Sequence, residues 1–470
     1  MTIESPGPIL RFRGSDPDHA RLCVTTTGGA AAGTRPLGTL AGTTFHARAL
    51  RLPRAPDGSV DMPADRPAGV PDRLAIPRRG DALRIAFASC NGAEAEAAFD
   101  ALPGGRTALW KDLARHHAER PFHLLALGGD QIYADAIWDL PALAAWRALP
   151  LGRRLRAPFT DAMASAVEAH YRDTYARAFA APEVAALLAS IPSIMIWDDH
   201  DIVDGWGSRP ASWQAAPVPR GIHAAARRAF ALVQAGLDPD AAPGGGTGHG
   251  GGGFGWSGDL GPARIAVPDL RSARTRRRVM DAAGHAHLRA VVSDHDRAHT
   301  LVVSSVPLVN ADLSWVERAV RPLMRWADLF QDDLRDQWMS YAHRAEWARA
   351  MAPLYAAPGR VTVLSGEIHL GAQGTARRDG AAVEQLIASG IAHPPPPKVL
   401  ARLHEAFSRR PWTREGSELR MHPVRPDGRR YLAERNWLEL TLHPDGRRDA
   451  VLHAERSGIL ALDDPLARAS

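Results

Sequence analysis

Apolar runs of strand length recur along this chain, and polar residues end each of them. Upstream they are short β-like pieces at 9–12, 22–24 and 43–46, separated by Gly and Pro. Residues 53–80 are rich in Pro, Asp and Arg and read as an irregular connection. The pattern predicts a small β-rich N-terminal module and linker over 1–80, followed by a main domain over 81–470. From Leu83 onward, period-two and all-apolar runs alternate with helical periodicity. Helices are expected over 107–119, 161–180, 221–237 and 331–352. Strands are expected over 122–127, 192–197, 263–267, 300–303, 361–364, 436–442 and 450–453. Such alternation predicts an α/β fold, with helices packed on a sheet. The glycine run at 244–255 has neither the lysine nor the Ser/Thr of a phosphate-binding loop and reads as a plain loop.

Composition changes this picture little. The hydrophobic share of 45% suits an ordinary globular protein with an ample core. No run approaches the length that a membrane span needs. Residues 1–13 lack the apolar stretch and cleavage site of a secretory signal, so a cytoplasmic location is expected. The net charge of +5 comes almost wholly from arginine, with lysine only at Lys111 and Lys398. No dense basic stripe with interleaved aromatics is present, so no obligate nucleic-acid partner is expected. Two cysteines, Cys23 and Cys90, exclude a disulfide framework.

Candidate chemistry sits where four apolar runs end. Cys90 follows Ile85-Ala86-Phe87, and Gly129-Asp130-Gln131-Ile132-Tyr133 follows Leu124-Leu125. Asp198-Asp199-His200-Asp201 follows Ile194-Met195-Ile196, and Glu367-Ile368-His369 follows Val361-Thr362-Val363-Leu364. Loops at strand ends are where α/β sheets build their sites. So many acids at the end of a buried run are costly unless cations neutralise them. If the chain stays extended there, one of Asp198 and Asp199 ligates and the other faces away. Glu367 and His369, two residues apart, share a face on the same argument. Thiolate, phenolate and imidazole donors favour iron, whereas carboxylates favour a hard ion such as Ca²⁺, Mg²⁺ or Mn²⁺. A two-metal centre of this kind fits phosphoester hydrolysis.

Together with Ala88-Ser89-Cys90-Asn91 and Asp269-Leu270-Arg271-Ser272, these motifs resemble the PhoD-like alkaline phosphatases of the calcineurin-like metallophosphoesterase superfamily, over roughly 83–442. The resemblance implies a four-layer αββα sandwich, two sheets between helices, preceded by a β-rich module. It implies Fe³⁺ held by Cys90, Asp130, Tyr133 and His369, and Ca²⁺ facing Asp130, Asp199 and Glu367, with Mg²⁺, Mn²⁺ or Zn²⁺ as alternatives. His200 is then a candidate general acid or phosphate contact. Arg271 either clamps phosphate oxygens or forms a plain salt bridge to Asp269. Glu367 stands where the family commonly has Asp, and Gln131 and Asp135 stand where Tyr and Glu are common.

The function expected is a metal-dependent phosphoester hydrolase, in which metal-bound hydroxide attacks the phosphorus of a small-molecule or lipid-derived mono- or diester. A phosphodiesterase-selective enzyme and a non-catalytic metal-dependent binding or scaffold protein are the alternatives. The sequence leaves the oligomeric state open.

Overall fold

Along the strand Ala263–Val267, Ile265 and Val267 face one core while Ala266 faces another. The strand His299–Val303 divides the same way, with Leu301 and Val303 on one side and Val302 on the other. In Arg360–Ser365, Leu364 is set against Val361 and Val363. A strand whose two faces are both apolar must be covered twice. Here one cover is a second sheet and the other is helices. In this computed structural model, which describes residues 6–28, 33–100, 102–240, 253–293, 295–312 and 336–467, two large sheets pack against each other between helical layers.

Among the described residues, the first sheet has ten strands and the second nine. Leu83–Ala88, Leu124–Gly128 and Ser193–Ile196 run parallel at the centre of the first. Asn436–Leu442, Arg448–Ala454 and Gly458–Leu462 extend it antiparallel on one side. On the other side Ile9–Ser15 joins Ser193–Ile196 through the Arg11–Ser193 pairing. His19–Thr27, Thr43–Pro53 and Arg35–Leu40 continue outward from there, so the β-rich N-terminal region prolongs this sheet. The parallel centre of the second sheet is Ala263–Val267, His299–Val303, Arg360–Ser365 and Ala381–Ile387.

Helices Ala108–Glu119, Asp161–Phe179 and Pro217–Phe230 bury Trp110, Tyr171 and Phe230 in the core shared with the first sheet. Helices Ala282–Ser293 and Arg344–Tyr355 bury Leu288 and Trp347 against the second. The result is the helix–sheet–sheet–helix layering that the resemblance implied. Among the described residues, no helix is long and apolar enough to cross a membrane.

Local differences from the sequence expectations have local causes. The 53–80 connection contains a small hairpin of Ser59–Asp61 and Arg73–Ala75. The helix expected over 221–237 begins earlier, at Pro217, whose ring suits a first turn. It then widens into a π-turn, Ala231–Ala235, which Gly236 ends with a φ of 60°. Of the helix expected over 331–352, residues 331–335 lie outside the described residues, as does 244–252 of the glycine run. The remainder is a 3₁₀ turn, Tyr341–His343, capped by the Ser340 hydroxyl, and then the helix Arg344–Tyr355. Trp338 and Trp347 are buried there, and Trp347 donates to the Leu308 carbonyl at 2.7 Å, while Tyr341 faces solvent.

One ion-pair cluster ties the two sheets together. Glu384 on the second sheet is fully buried and accepts from Arg448 on the first and from Arg360 on its own sheet. Arg360 also grips Asp464 at 2.6 Å. Burial would raise the Glu384 carboxyl, but the two guanidinium groups hold it below the usual carboxylate range. Removing one member strands the others without water. Glu384→Ala is therefore expected to lower unfolding stability by about 3–5 kcal/mol, read as a lower urea midpoint at neutral pH.

Candidate metal centre at the strand ends

The central strands of both sheets stop at the same seam, and the chain leaves them through unusual backbone. Among the described residues, seven non-glycine positions have positive φ, and Cys90 (54°), Asp130 (53°), Glu367 (70°) and His369 (53°) are four of them. For side-chain-bearing residues this conformation is costly and is retained where surrounding structure enforces it. Space is tight as well. A Cβ on Gly129 would lie 2.8 Å from the Asp198 Cβ and 2.9 Å from the Ser305 Cβ. On Gly366 it would lie 2.1 Å from the Ser89 Oγ. Both glycines are thus fixed by close approach across the seam.

At one end of the seam, Cys90, Asp130, Tyr133 and His369 converge. The Cys90 Sγ is 3.6 Å from the Asp130 Oδ2, and the Tyr133 hydroxyl is 3.0 Å from the His369 Nε2. Ser389, at the end of a second-sheet strand, bridges the two pairs. Its Oγ lies 3.2 Å from the Cys90 Sγ and accepts the His369 amide at 2.9 Å. His393 stacks on His369 with ring centroids 3.5 Å apart. Burial pushes the Cys90 thiol and the Tyr133 phenol above their ordinary values, and the nearby Asp130 carboxylate adds to both. Burial, with His393 and His200 close by, pulls His369 well below the usual imidazole value and keeps it a neutral donor.

At the other end lie the acids. Carboxylate oxygens of Asp130, Asp198 and Asp199 fall within 4.8 Å of one another. Asp198 and Asp199 do not diverge as extended backbone would require. The strand ends at Ile196, and the Asp201 carboxylate then turns the chain by accepting the amides of Asp198 and Asp130, each at 2.9 Å. Burial and the Asp198 charge push the Asp130 carboxyl well above the carboxylate range. Its Oδ1, and the Oδ2 of Asp198, are buried without a hydrogen-bond partner. Buried acceptors left open in an acid cluster are what cation ligands look like before the cation. Glu367 points to this end rather than sharing a face with His369, and its Oε2 accepts from the Gln337 side chain. Both residues lie past the strand end at Ser365, where alternation no longer operates.

Arg271 is fully buried, and its partner is not Asp269. The guanidinium pairs with Asp198, with Asp336 and with Asp199 at 3.4 Å, and donates to the Trp206 carbonyl at 3.1 Å. Asp269 instead accepts the backbone amides of Arg271 and Ser272, both at 2.9 Å. Arg271 is thus paired with three buried acids.

His200 is half-buried beside the centre. Its Nδ1 is 2.7 Å from the Asp135 Oδ2, and its ring stacks on Tyr133 at 4.2 Å. Burial alone would lower this imidazole, yet the Asp135 and Asp199 charges carry it well above its usual value. Sequence reasoning did not assign Asp135, Asp201, Asp336 or Ser389 to the site. Only Asp135 and Asp201 left a local signal, as acids beside the motifs. Asp336 and Ser389 reach the centre through the fold alone.

Residues 77–327, more than half of the chain, match the PhoD related phosphatase family. The uncharacterized protein YGR266W of Saccharomyces cerevisiae is 23% identical over 426 residues, which covers 70% of this chain. The chain spans 60% of the length of that curated relative. The solved structure of PhoD superposes with a TM-score of 0.57 at 12% identity, covering 98% of this chain and 93% of that one. A purple acid phosphatase, PPD1 from yellow lupin (Lupinus luteus), matches at a TM-score of 0.48 and 12% identity, over 96% of this chain and 72% of that one. Because the family model matches more than half of the chain, the chain belongs to the PhoD related phosphatase family.

Proposed function

We propose that this protein is a metal-dependent phosphoester hydrolase acting at the seam between the two sheets. The observation that carries the proposal is the meeting of two unlike donor sets on Asp130, which has a buried carboxylate oxygen open. Cys90, Asp130, Tyr133 and His369 would hold Fe³⁺, whose charge suits thiolate and phenolate. Asp130, Asp199 and Glu367, joined by Asp198, would hold a hard cation such as Ca²⁺. Bound there, the two ions would polarise the phosphoryl oxygens and make a water nucleophilic near neutral pH.

The chain's own residues do the rest. Asp135 holds the His200 ring at Nδ1 and favours its charged form, so His200 can give a proton to the departing ester oxygen. Asp201 holds the backbones of Asp130 and Asp198 in place through their amides. Arg271 holds Asp198 and Asp336 and balances part of the buried negative charge.

The direct test is hydrolysis of a chromogenic phosphomonoester and diester by the iron- and calcium-loaded protein beside Asp130→Asn. Turnover by the native protein that falls by about 100-fold or more in the variant is expected. Absence of turnover on both esters, with both metals bound, would instead favour a binding or scaffold protein. The ester turned over faster separates a phosphomonoesterase from a diesterase. His200→Gln is expected to cut kcat by about 10²-fold on alkyl esters, and by less on nitrophenyl esters, whose leaving group needs no proton. Equal loss on both would remove the general-acid role. Arg271→Leu is expected to destabilise the fold by about 3–5 kcal/mol while leaving KM for the ester within a few-fold. A large rise in KM without loss of stability would mark Arg271 as a phosphate clamp.

A further inference from the structure

Away from the seam, helix Ala108–Glu119 lies over the strands Asn436–Leu442 and Arg448–Ala454 and presents Asp112 and His116, one turn apart, to His453. One donor atom from each of the three lies within 4.8 Å of the others. The His116 Nε2 is 3.7 Å from an Asp112 oxygen, and the His453 Nδ1 is 3.9 Å from the other. Donors bound to one tetrahedral zinc at about 2.0–2.1 Å sit roughly 3.3–3.5 Å apart, so a set spread within 4.8 Å must draw in by up to about 1.5 Å to share one ion.

His453 is 3% exposed, and neither of its ring nitrogens makes a hydrogen bond. A buried imidazole left in this state is unusual. Its ring lies flat on Trp437, with centroids 3.9 Å apart and planes 4° from parallel, so its orientation is fixed. The Nε2 faces the Glu439 Oε2 at 3.4 Å, and Arg84 holds Glu439 through two hydrogen bonds of 2.7 and 2.9 Å. A carboxylate behind the far nitrogen of a histidine is the usual support of a metal-ligating imidazole. Nε2 thus faces Glu439, and Nδ1 faces Asp112. Asp112 is steadied in turn by the Trp437 indole, which donates to its Oδ2 at 3.0 Å. Arg115, 55% exposed, lies over the mouth with its Nη2 2.8 Å from the Asp112 Oδ1 and 2.9 Å from the His116 Nε2, so an ion binds there only by displacing it. The Asp112 side chain is 29% exposed, so the cluster meets solvent on that side.

We propose that Asp112, His116 and His453 form a second metal site, distinct from the centre at the strand ends, which takes a divalent cation of the zinc class. Two imidazoles and one carboxylate are the donor set of such an ion. Its place in the fold suggests a structural purpose. Trp110, on the same helix, donates to the Asn91 side chain at 2.8 Å, and Arg106, just before the helix, donates to the Asn91 carbonyl at 2.7 Å. Asn91 follows Cys90, so an ion at Asp112 clamps to the sheet the helix that braces the Cys90 loop.

The test uses the full-length chain, stripped with chelator and reloaded with Zn²⁺ alone, beside His116→Gln, His453→Gln and Asp112→Asn. Bound zinc is counted after desalting, and cobalt loaded instead reports coordination by its visible absorption. One equivalent fewer in each variant, with loss of one four-coordinate cobalt spectrum, is expected. Phosphoester hydrolysis in iron- and calcium-loaded variants is expected to persist. His116→Gln and Asp112→Asn change partly exposed positions, so they decide the matter even if His453→Gln does not fold. Equal zinc in the wild type and these two variants would overturn the site and leave His453 as a member of an ion-pair network with Asp112 and Glu439.

Discussion

The seam concentrates more buried negative charge than its own cations balance. Asp130, Asp198, Asp199, Asp201 and Asp336 are all buried there, with Glu367 beside them. Arg271 and Arg274 are the buried guanidinium groups set against them, and both are drawn to Asp336. An uncompensated carboxylate in such surroundings either takes a proton or finds a cation. Much of the local architecture manages this excess. Asp201 spends its oxygens on backbone amides and on Gln234, Arg271 serves three acids, and the Asp199 Oδ2 takes the Gly205 amide at 2.8 Å. What remains open, on Asp130 and Asp198, faces the place where two donor sets meet.

The sandwich is the reason those groups can meet at all. Each sheet supplies part of the centre: Cys90, Asp130, Tyr133 and the Asp198 turn from the first, Ser389, Glu367 and His369 from the second. The contacts that cross between sheets, Tyr133 to His369 and Cys90 to Ser389, lie at the carboxyl ends of the parallel strands. Glu384 with Arg448 makes a further crossing elsewhere. The registration of the two sheets therefore sets the geometry of the site, and a shift of one over the other would separate the donor sets before any ligand was lost.

The strands and their chemically loaded ends were legible because a short buried strand and a ligand-bearing loop both leave contiguous marks in sequence. Where the chain stopped being regular, periodicity misled. The alternation applied to Asp198-Asp199 and to Glu367-Ile368-His369 presumes extended backbone, whereas Asp201 imposes a turn on the first and positive φ bends the second. Arg271 invited pairing with Asp269, two residues away, but that carboxylate was already engaged with backbone amides. Its real partners lie 73 and 65 positions away, at Asp198 and Asp336, and no local pattern encodes them. Asp135 was visible as a residue beside the motif but not as the support of His200, since that contact spans 65 positions.

The left-handed backbone at Cys90, Asp130, Glu367 and His369 has a consequence for motion. Each such residue costs on the order of 1–3 kcal/mol, and together these costs approach the whole net stability of a typical domain. The stability of the two cores is thus partly held as tension at one edge. Relief of that tension lowers the cost of local opening there, so these loops open more readily than equally buried unstrained backbone would. A ligand that bridges the loops therefore acts directly on backbone held under strain.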